Sequence, residues 1–288
     1  MCSAKCDVCF RHCRIEEGGL GFCGARTCNN GEVICANYGR VTSLALDPIE
    51  KKPLKRFFPG SLVLSVGSYG CNLRCPFCQN NKISWSASAM RMKESAEYIS
   101  PEELANTAEY YKDDGNIGVA FTYNEPLIGY EYVRDTTRLV HEKGMKNVLV
   151  TNGTAGLYIL DELAPYIDAM NIDLKGFTDR FYDSVLGGNR KMTMEFIEAA
   201  VKVCHVELTT LIIPDENDSE EEMEELSAWV AGLRPSEPGM TGADIPLHVT
   251  RFFPCFHMTD RAATDIGSVL RLAETAGKNL KYVYPGNI

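Results

Sequence analysis

Leu62-Val-Leu-Ser-Val-Gly67-Ser-Tyr-Gly70-Cys71-Asn-Leu-Arg-Cys75-Pro-Phe-Cys78 is a short apolar run, a pair of glycines and then three thiols spaced C-x3-C-x2-C. The run Leu62–Val66 reads as a buried strand, and the glycines beyond it let backbone come close to whatever the thiols hold. Three cysteines in one loop can hold three irons of a [4Fe–4S] cluster and leave the fourth open, whereas electron-transfer clusters are held by four thiolates. An open iron is a reaction site, completed by a substrate or a cofactor. The competing reading is structural zinc, which takes four protein ligands and paired C-x2-C knuckles. Within this loop only Cys75 and Cys78 are so spaced.

Outward from that loop the chain alternates. Further apolar runs at Gly118–Thr122, Val148–Thr151, Ala169–Asp173, Glu207–Ile213 and Leu247–Phe252 read as buried parallel strands, with an extra strand at Lys281–Tyr284. Amphipathic patterns between them predict helices over Pro101–Lys112, Glu131–Glu142, Met194–Val203, Ser219–Leu233 and Asp260–Ala276. Ser100-Pro101-Glu102 carries a cap-like serine, proline at the first helical position and early acids, which starts the first helix there. The alternation implies right-handed βαβ units and an α/β fold, a partial (β/α)6 TIM-like barrel over residues 61–288. Chemistry in such barrels sits at the C-terminal ends of the strands.

Residues 1–60 read differently. Seven of the twelve cysteines fall between Cys2 and Cys35, in a Gly-rich stretch with few aliphatics, so this Cys-rich N-terminal extension needs a staple. Cys6, Cys9, Cys13 and Cys23 are candidate ligands for zinc or for an auxiliary iron–sulfur cluster; the spacing leaves both open. Clustered cysteines fit metal binding in a reducing compartment better than a secreted disulfide scaffold.

A formal charge of −10 and a pI near 5.1 argue against nucleic acid or an anionic membrane as partner. No apolar run approaches the ~20 residues of a membrane helix and the start carries no secretory pattern, so a cytoplasmic protein is expected. Lys51, Lys52, Lys55 and Arg56 form a local basic run, read as a solvated loop or a dock for an acidic electron donor such as flavodoxin or ferredoxin.

The Cys71–Cys78 loop resembles the signature of the radical S-adenosylmethionine (SAM) superfamily. The resemblance implies that the open iron binds the amino and carboxylate groups of SAM, and that homolysis of the S–C5′ bond yields a 5′-deoxyadenosyl radical. Phe77 matches the aromatic position whose backbone meets the adenine. Tyr123-Asn124-Glu125-Pro126, at the end of the second strand, corresponds to the superfamily's Gly-Gly-Glu motif. Tyr123 and Asn124 replace the glycines, so Glu125 carries over as acceptor for the SAM ammonium, with Asn124 beside it. Asn152, in Thr151-Asn152-Gly153, is offered to the SAM ribose or carboxylate. Alternation sets Asn171, Asp173 and Lys175 on one side, facing the lumen. Asp173-Leu-Lys175 resembles the SAM-binding triplet of pyruvate formate-lyase activating enzymes, with Asp173 at the ribose and Lys175 at the carboxylate; a structural Asp–Lys pair would satisfy the same charges. Leu211-Ile-Ile-Pro214 resembles the apolar segment that contacts adenine. Of His248, Arg251 and His257, His248 is selected as touching SAM or substrate.

Leu46-Asp-Pro-Ile-Glu-Lys-Lys-Pro-Leu54, Phe58-Pro-Gly-Ser61, Cys78-Gln-Asn-Asn-Lys-Ile-Ser84, Thr122–Pro126 and Val249–Phe252 are similar to the AmmeMemoRadiSam-system radical SAM enzymes, relatives of those activating enzymes. That resemblance covers nearly the whole chain. It implies reductive SAM cleavage, hydrogen abstraction from a small or carried substrate, and Amme-type and Memo-type partner proteins. The chain stops at Ile288, short of the cysteine-bearing tail of many relatives. Two alternatives stand beside it. One is an activase that takes a glycine Cα hydrogen from a glycyl radical enzyme; the other is an iron–sulfur electron-transfer protein, disfavoured by the polar strand ends.

Overall fold

The computed structural model describes residues 2–288. Its centre is an eight-stranded sheet whose spatial order follows the chain: β1 (Ser43–Pro48), β2 (Leu62–Gly67), β3 (Asn116–Phe121), β4 (Lys146–Thr151), β5 (Ala169–Asp173), β6 (His205–Ile212), β7 (Leu247–Arg251) and β8 (Val283–Gly286). Strands β2 to β8 are all parallel, and β1 runs antiparallel along the β2 edge. This is the partial barrel expected from the alternation. Helices α1 (Pro101–Tyr110), α2 (Tyr130–Glu142), α3 (Leu157–Leu163), α4 (Arg190–Ala200), α5 (Glu220–Ala231) and α6 (Ile266–Ala276) make the crossovers and bury their apolar stripes on the sheet.

Caps decide where the helices start. Ser100 and Glu103 form a reciprocal capping box at α1, the Ser100 hydroxyl accepting from the Glu103 amide and the Glu103 carboxylate from the Ser100 amide. Asn189 caps α4 through the Met192 amide at 2.8 Å, so the helix begins ahead of the expected start at Met194. Asp265 caps α6, so the expected helical turn from Asp260 does not form. Thr264 there donates instead to the Ile212 carbonyl at 2.6 Å and accepts from Arg251 Nε on its own carbonyl at 2.7 Å.

The extension contains order that its composition hides. Ser3–Lys5 pairs with Arg14–Glu16, and Arg26–Asn29 with Glu32–Cys35, both antiparallel. It lies against the mouth of the barrel. Val8 accepts from the Gly156 amide after β4, the Cys23 carbonyl accepts from the Cys71 amide after β2 at 3.2 Å, and Arg26 pairs with Glu131 of α2 at 2.6 Å. Gly70 is needed at this seam. Its φ is +95°, and a Cβ there would stand 2.6 Å from the Cys23 carbonyl oxygen.

The basic run is solvated at Lys51, Lys55 and Arg56, as expected of a surface loop, and Lys52 departs from it. Lys51 stays outside, but Lys52 is 2% exposed and its Nζ lies 2.9 Å from Asp47 Oδ2. Tyr123 donates its hydroxyl to the same oxygen at 2.7 Å. The amides of Lys55 and Arg56 donate to the buried Glu207 carboxylate at 2.9 and 2.7 Å, which pins the segment across the N-terminal ends of the strands. An ammonium so buried is tolerable only with its partner. Lys52→Met is expected to leave Asp47 under-compensated and to cost about 3 kcal/mol, read as a lower urea midpoint at unchanged m-value.

Candidate functional site

Loops from the ends of β2, β3, β4 and β5 assemble the site. The end of β3 fixes the approach to the thiol loop, because Asn124 accepts from the Ser68 amide at 3.0 Å and donates to the Gly70 carbonyl at 3.1 Å. Asn80, just past Cys78, donates to the Tyr123 carbonyl at 2.8 Å, and the Arg74 amide donates to the Leu186 carbonyl at 2.8 Å. The loop is held on both flanks. Asn124, expected to face SAM, spends its amide on this backbone.

Under the loop lies an apolar floor of Leu73, Phe77, Tyr182, Leu186 and Phe252, with Phe77 edge-on to Phe252 at 6.4 Å between ring centres. Burial there pushes the Cys75 thiol up to about 11, against the opposing pull of Lys175. Burial likewise raises Cys71, with Glu125 adding to it, and Cys78. Thiols held protonated at neutral pH become ligands when an incoming metal displaces their protons to solvent.

Glu125 is 3% exposed and accepts three hydrogen bonds, from the Leu127 amide at 3.0 Å, Thr151 Oγ1 at 2.7 Å and the Asn152 amide at 2.8 Å. Burial outweighs these bonds, and Asp173 adds to it, so the carboxyl is pushed up to about 7. A cation arriving beside it would fix its charge. Asp173 and Lys175 pair at 2.8 Å; burial opposes the Lys175 charge, but Asp173 and the Cys75 thiol outweigh it and raise the ammonium well above its usual range. Asn152 donates to Asn72 Oδ1 at 2.9 Å and accepts from the Thr154 amide, so its side chain braces the thiol loop.

The fold therefore brings Cys71, Cys75, Cys78, Phe77, Glu125, Asn152, Asp173 and Lys175 to one end of the barrel. It does not bring His248 there. His248 is the second residue of β7, in register with Thr209, and its Nε2 lies 2.7 Å from Glu207 Oε2 below the strand ends. Arg251 is held by the Thr264 carbonyl, whereas a turn at Cys255–Met258 carries His257 to the thiol loop, its amide donating to the Pro76 carbonyl at 2.8 Å. Four positioning groups went unread in the sequence: Asn72, Asn80, Tyr182, whose hydroxyl accepts from the Lys175 amide at 3.2 Å, and Cys255, whose thiol lies 3.8 Å from the Cys78 carbonyl. The amide-rich run Gln79-Asn80-Asn81 directly after Cys78 was the one available signal, since side-chain amides commonly bond backbone near loops.

The donor set fits an iron–sulfur cluster. Three soft thiols share one loop, and the Leu73 amide points at Cys71 Sγ at 3.4 Å, as donors to cluster sulfurs do. In the extension, Cys6, Cys9, Cys13 and Cys23 line one small cavity beside Arg11 and Arg26. Among the described residues, no three His, Cys, Asp or Glu side chains converge closely enough to hold a single metal ion.

Residues 65–227 match the Radical SAM superfamily. The chain is 39% identical to the uncharacterized protein MJ0808 of Methanocaldococcus jannaschii, over 99% of this chain and 81% of that one. It belongs to the radical SAM superfamily. Within it the chain is homologous to the pyruvate formate-lyase activating enzymes: it is 26% identical to the pyruvate formate-lyase 1-activating enzyme of Escherichia coli over 57% of this chain and 66% of that protein. Among solved structures, Streptococcus suis SuiB bound to S-adenosylmethionine superposes with a TM-score of 0.57 at 16% identity, over 77% of this chain and 51% of SuiB. The chain thus spans about half of that structure, and the likeness is one of fold. No helix among the described residues is long and apolar enough to cross a membrane.

Proposed function

We propose that this protein cleaves SAM reductively and directs the resulting radical at a small or carried substrate. The [4Fe–4S] cluster, when bound by Cys71, Cys75 and Cys78, supplies the electron that breaks the S–C5′ bond to give methionine and a 5′-deoxyadenosyl radical. The chain's own groups bind and orient. Glu125 accepts from the SAM ammonium, its charge fixed on contact; Lys175 meets the carboxylate and Asp173 the ribose; the backbone at Phe77 meets the adenine. The convergence of Glu125, Asp173 and Lys175 on the thiol loop is the observation that carries this reading. His248 has no part in it, because Glu207 holds it below the strand ends.

The rim supports a reading of the substrate class. Residues 1–60 are taken as a Cys-rich extension whose last strand joins the sheet, and 61–288 as the barrel. Contacts of Val8, Arg11, Cys23 and Arg26 set the extension against the loops after β2, β4 and β5 and against α2, on one side of the mouth. A rim narrowed on that side supports a small molecule, or one delivered by partner proteins of the Amme and Memo types, over a threaded peptide. The second reading, a glycyl-radical activase, draws on the activating-enzyme relatives. A cytoplasmic setting, where flavodoxin or ferredoxin donates electrons, suits either. Anaerobically reconstituted protein with dithionite is expected to convert SAM to 5′-deoxyadenosine and methionine in equal amounts, measured by liquid chromatography. Well-loaded protein that leaves SAM intact would sink the proposal. A glycyl radical signal in a co-incubated partner would favour the activase.

A further inference from the structure

Tyr123 stands in a conformation that its own Cβ disfavours. Its φ is +72°, in the left-handed region where a side chain is crowded and glycine is not. The Asn124 amide donates to the Thr122 carbonyl at 3.0 Å, an i→i+2 bond that closes a strained three-residue turn around Tyr123. Such a backbone persists only where its surroundings over-determine it, and it points to a task for the side chain that glycine could not perform.

Three anchors hold the turn. The first is the side chain: the Tyr123 hydroxyl donates to Asp47 Oδ2 at 2.7 Å, and Lys52 Nζ donates to the same oxygen at 2.9 Å. The ammonium also lies 4.7 Å from the centre of the tyrosine ring, so the ring is bound at its tip and on its face. Both Asp47 and Lys52 are buried. The ring lies against Gly67, the last residue of β2, where a Cβ would stand 2.8 Å from Tyr123 Cδ2. The second anchor is the Tyr123 carbonyl, which accepts from Asn80 Nδ2 at 2.8 Å, two residues past Cys78. Asn124 is the third, donating to the Gly70 carbonyl at 3.1 Å just ahead of Cys71. Glu125 follows directly. Its carboxylate is aimed by Thr151 Oγ1 and by the Leu127 and Asn152 amides, while the turn ties its backbone to both flanks of the thiol loop. Filling the lumen does not call for this arrangement, since a strand residue at ordinary φ would fill it without a bond to a buried ion pair.

We propose that Tyr123 is a positioning residue for SAM: its side chain, tied to the Asp47–Lys52 pair, fixes the turn that sets Glu125 at its distance from the loop of Cys71, Cys75 and Cys78. The proposal rests on the reading of that loop and Glu125 as the SAM site. Loosening the turn leaves both groups present but lets their separation vary. SAM then binds less tightly, while the bond-breaking step, once SAM is seated, is little changed.

Tyr123→Phe removes the hydroxyl bond and keeps the ring; Tyr123→Gly removes the ring and frees the backbone. Each full-length chain is reconstituted anaerobically beside the wild type. Iron content, the urea midpoint, the Kd of SAM by equilibrium dialysis and the dithionite-driven cleavage rate at saturating SAM are measured. Tyr123→Phe is expected to keep its iron, to raise the Kd about tenfold, the equivalent of one hydrogen bond to a charged group, and to stay within about twofold in saturated rate. Tyr123→Gly is expected to raise the Kd at least as far. Gly67→Ala reaches the same turn from the other side, because the added methyl must displace the ring. It is expected to weaken SAM binding in the wild type and to add nothing in the Tyr123→Gly protein. A folded, iron-loaded Tyr123→Phe protein with the wild-type Kd overturns the proposal even if its urea midpoint has fallen, because a purely structural hydroxyl lowers the midpoint and leaves the Kd alone. Should Tyr123→Gly fail to fold, Tyr123→Phe still decides. Iron-loaded wild type that neither binds nor cleaves SAM is a different failure, that of the SAM-site reading itself.

Discussion

Cys75→Ala is expected to reduce SAM cleavage to the level seen without protein, a loss of about a thousandfold or more. Cys75 is the middle thiol of the loop, buried at 8% exposure and facing Lys175. Removing it leaves two ligands for three irons, so the loss falls on assembly of the site and not on a single contact. The barrel should survive. Cys75 lies in a loop outside the strands, and the flanking contacts of Asn124, Asn80 and the Arg74 amide involve none of its atoms. Far-UV circular dichroism close to wild type, with iron content down and SAM cleavage gone, is the expected pattern. Retained cleavage in a folded Cys75→Ala protein would remove the loop from the chemistry.

The sequence was legible where its signals are local. The parallel strands β2 to β7 announce themselves because strands covered on both faces read as largely apolar runs, whereas β8, half-exposed at the sheet edge, lies at Val283–Gly286, two residues beyond the expected Lys281–Tyr284. The thiol loop announces itself because its spacing lies within eight residues, and Asp173 and Lys175 because they end a strand. β1 is harder to see. It is an edge strand paired antiparallel, largely unburied, with only three apolar residues, Leu44 to Leu46, before it ends on Asp47 and Pro48. The hairpins of the extension have strands of three or four residues, too short for any period to register. α3 has seven residues, about two turns.

Non-local facts account for the two misplaced groups. Composition does not show that the His248 imidazole is taken up by Glu207 on the neighbouring strand, at 2.7 Å. Lys52 looks like part of a charged run until its partners are known, Asp47 five residues earlier and Tyr123 far along the chain. The same holds for Asn72 and Asn80, whose roles exist only once two loops meet.

The His248 partner, Glu207, makes the fold sensitive to acid. Glu207 is fully buried, and burial alone would raise its pKa. Hydrogen bonds from His205 at 3.1 Å, His248 at 2.7 Å and the amides of Lys55 and Arg56 outweigh burial and hold it down from 4.5 to about 2. A carboxyl whose folded pKa lies below its unfolded one contributes stability that is complete above about 4.5 and is lost as pH falls toward 2. At about 1.36 kcal/mol per unit this is worth about 3 kcal/mol. Glu207→Gln removes the charge but keeps the size, and leaves His248 and two backbone amides facing a weaker acceptor. Its expected cost is about 3 kcal/mol at neutral pH. The gap between wild type and variant should then close as the pH is lowered through that window. Urea midpoints of the two proteins, taken side by side at each pH, isolate this gap, because acid acts alike on everything else they share. A gap that stays constant down to pH ~2 would mean that the Glu207 carboxylate does not carry the charge on which the floor of the barrel is built.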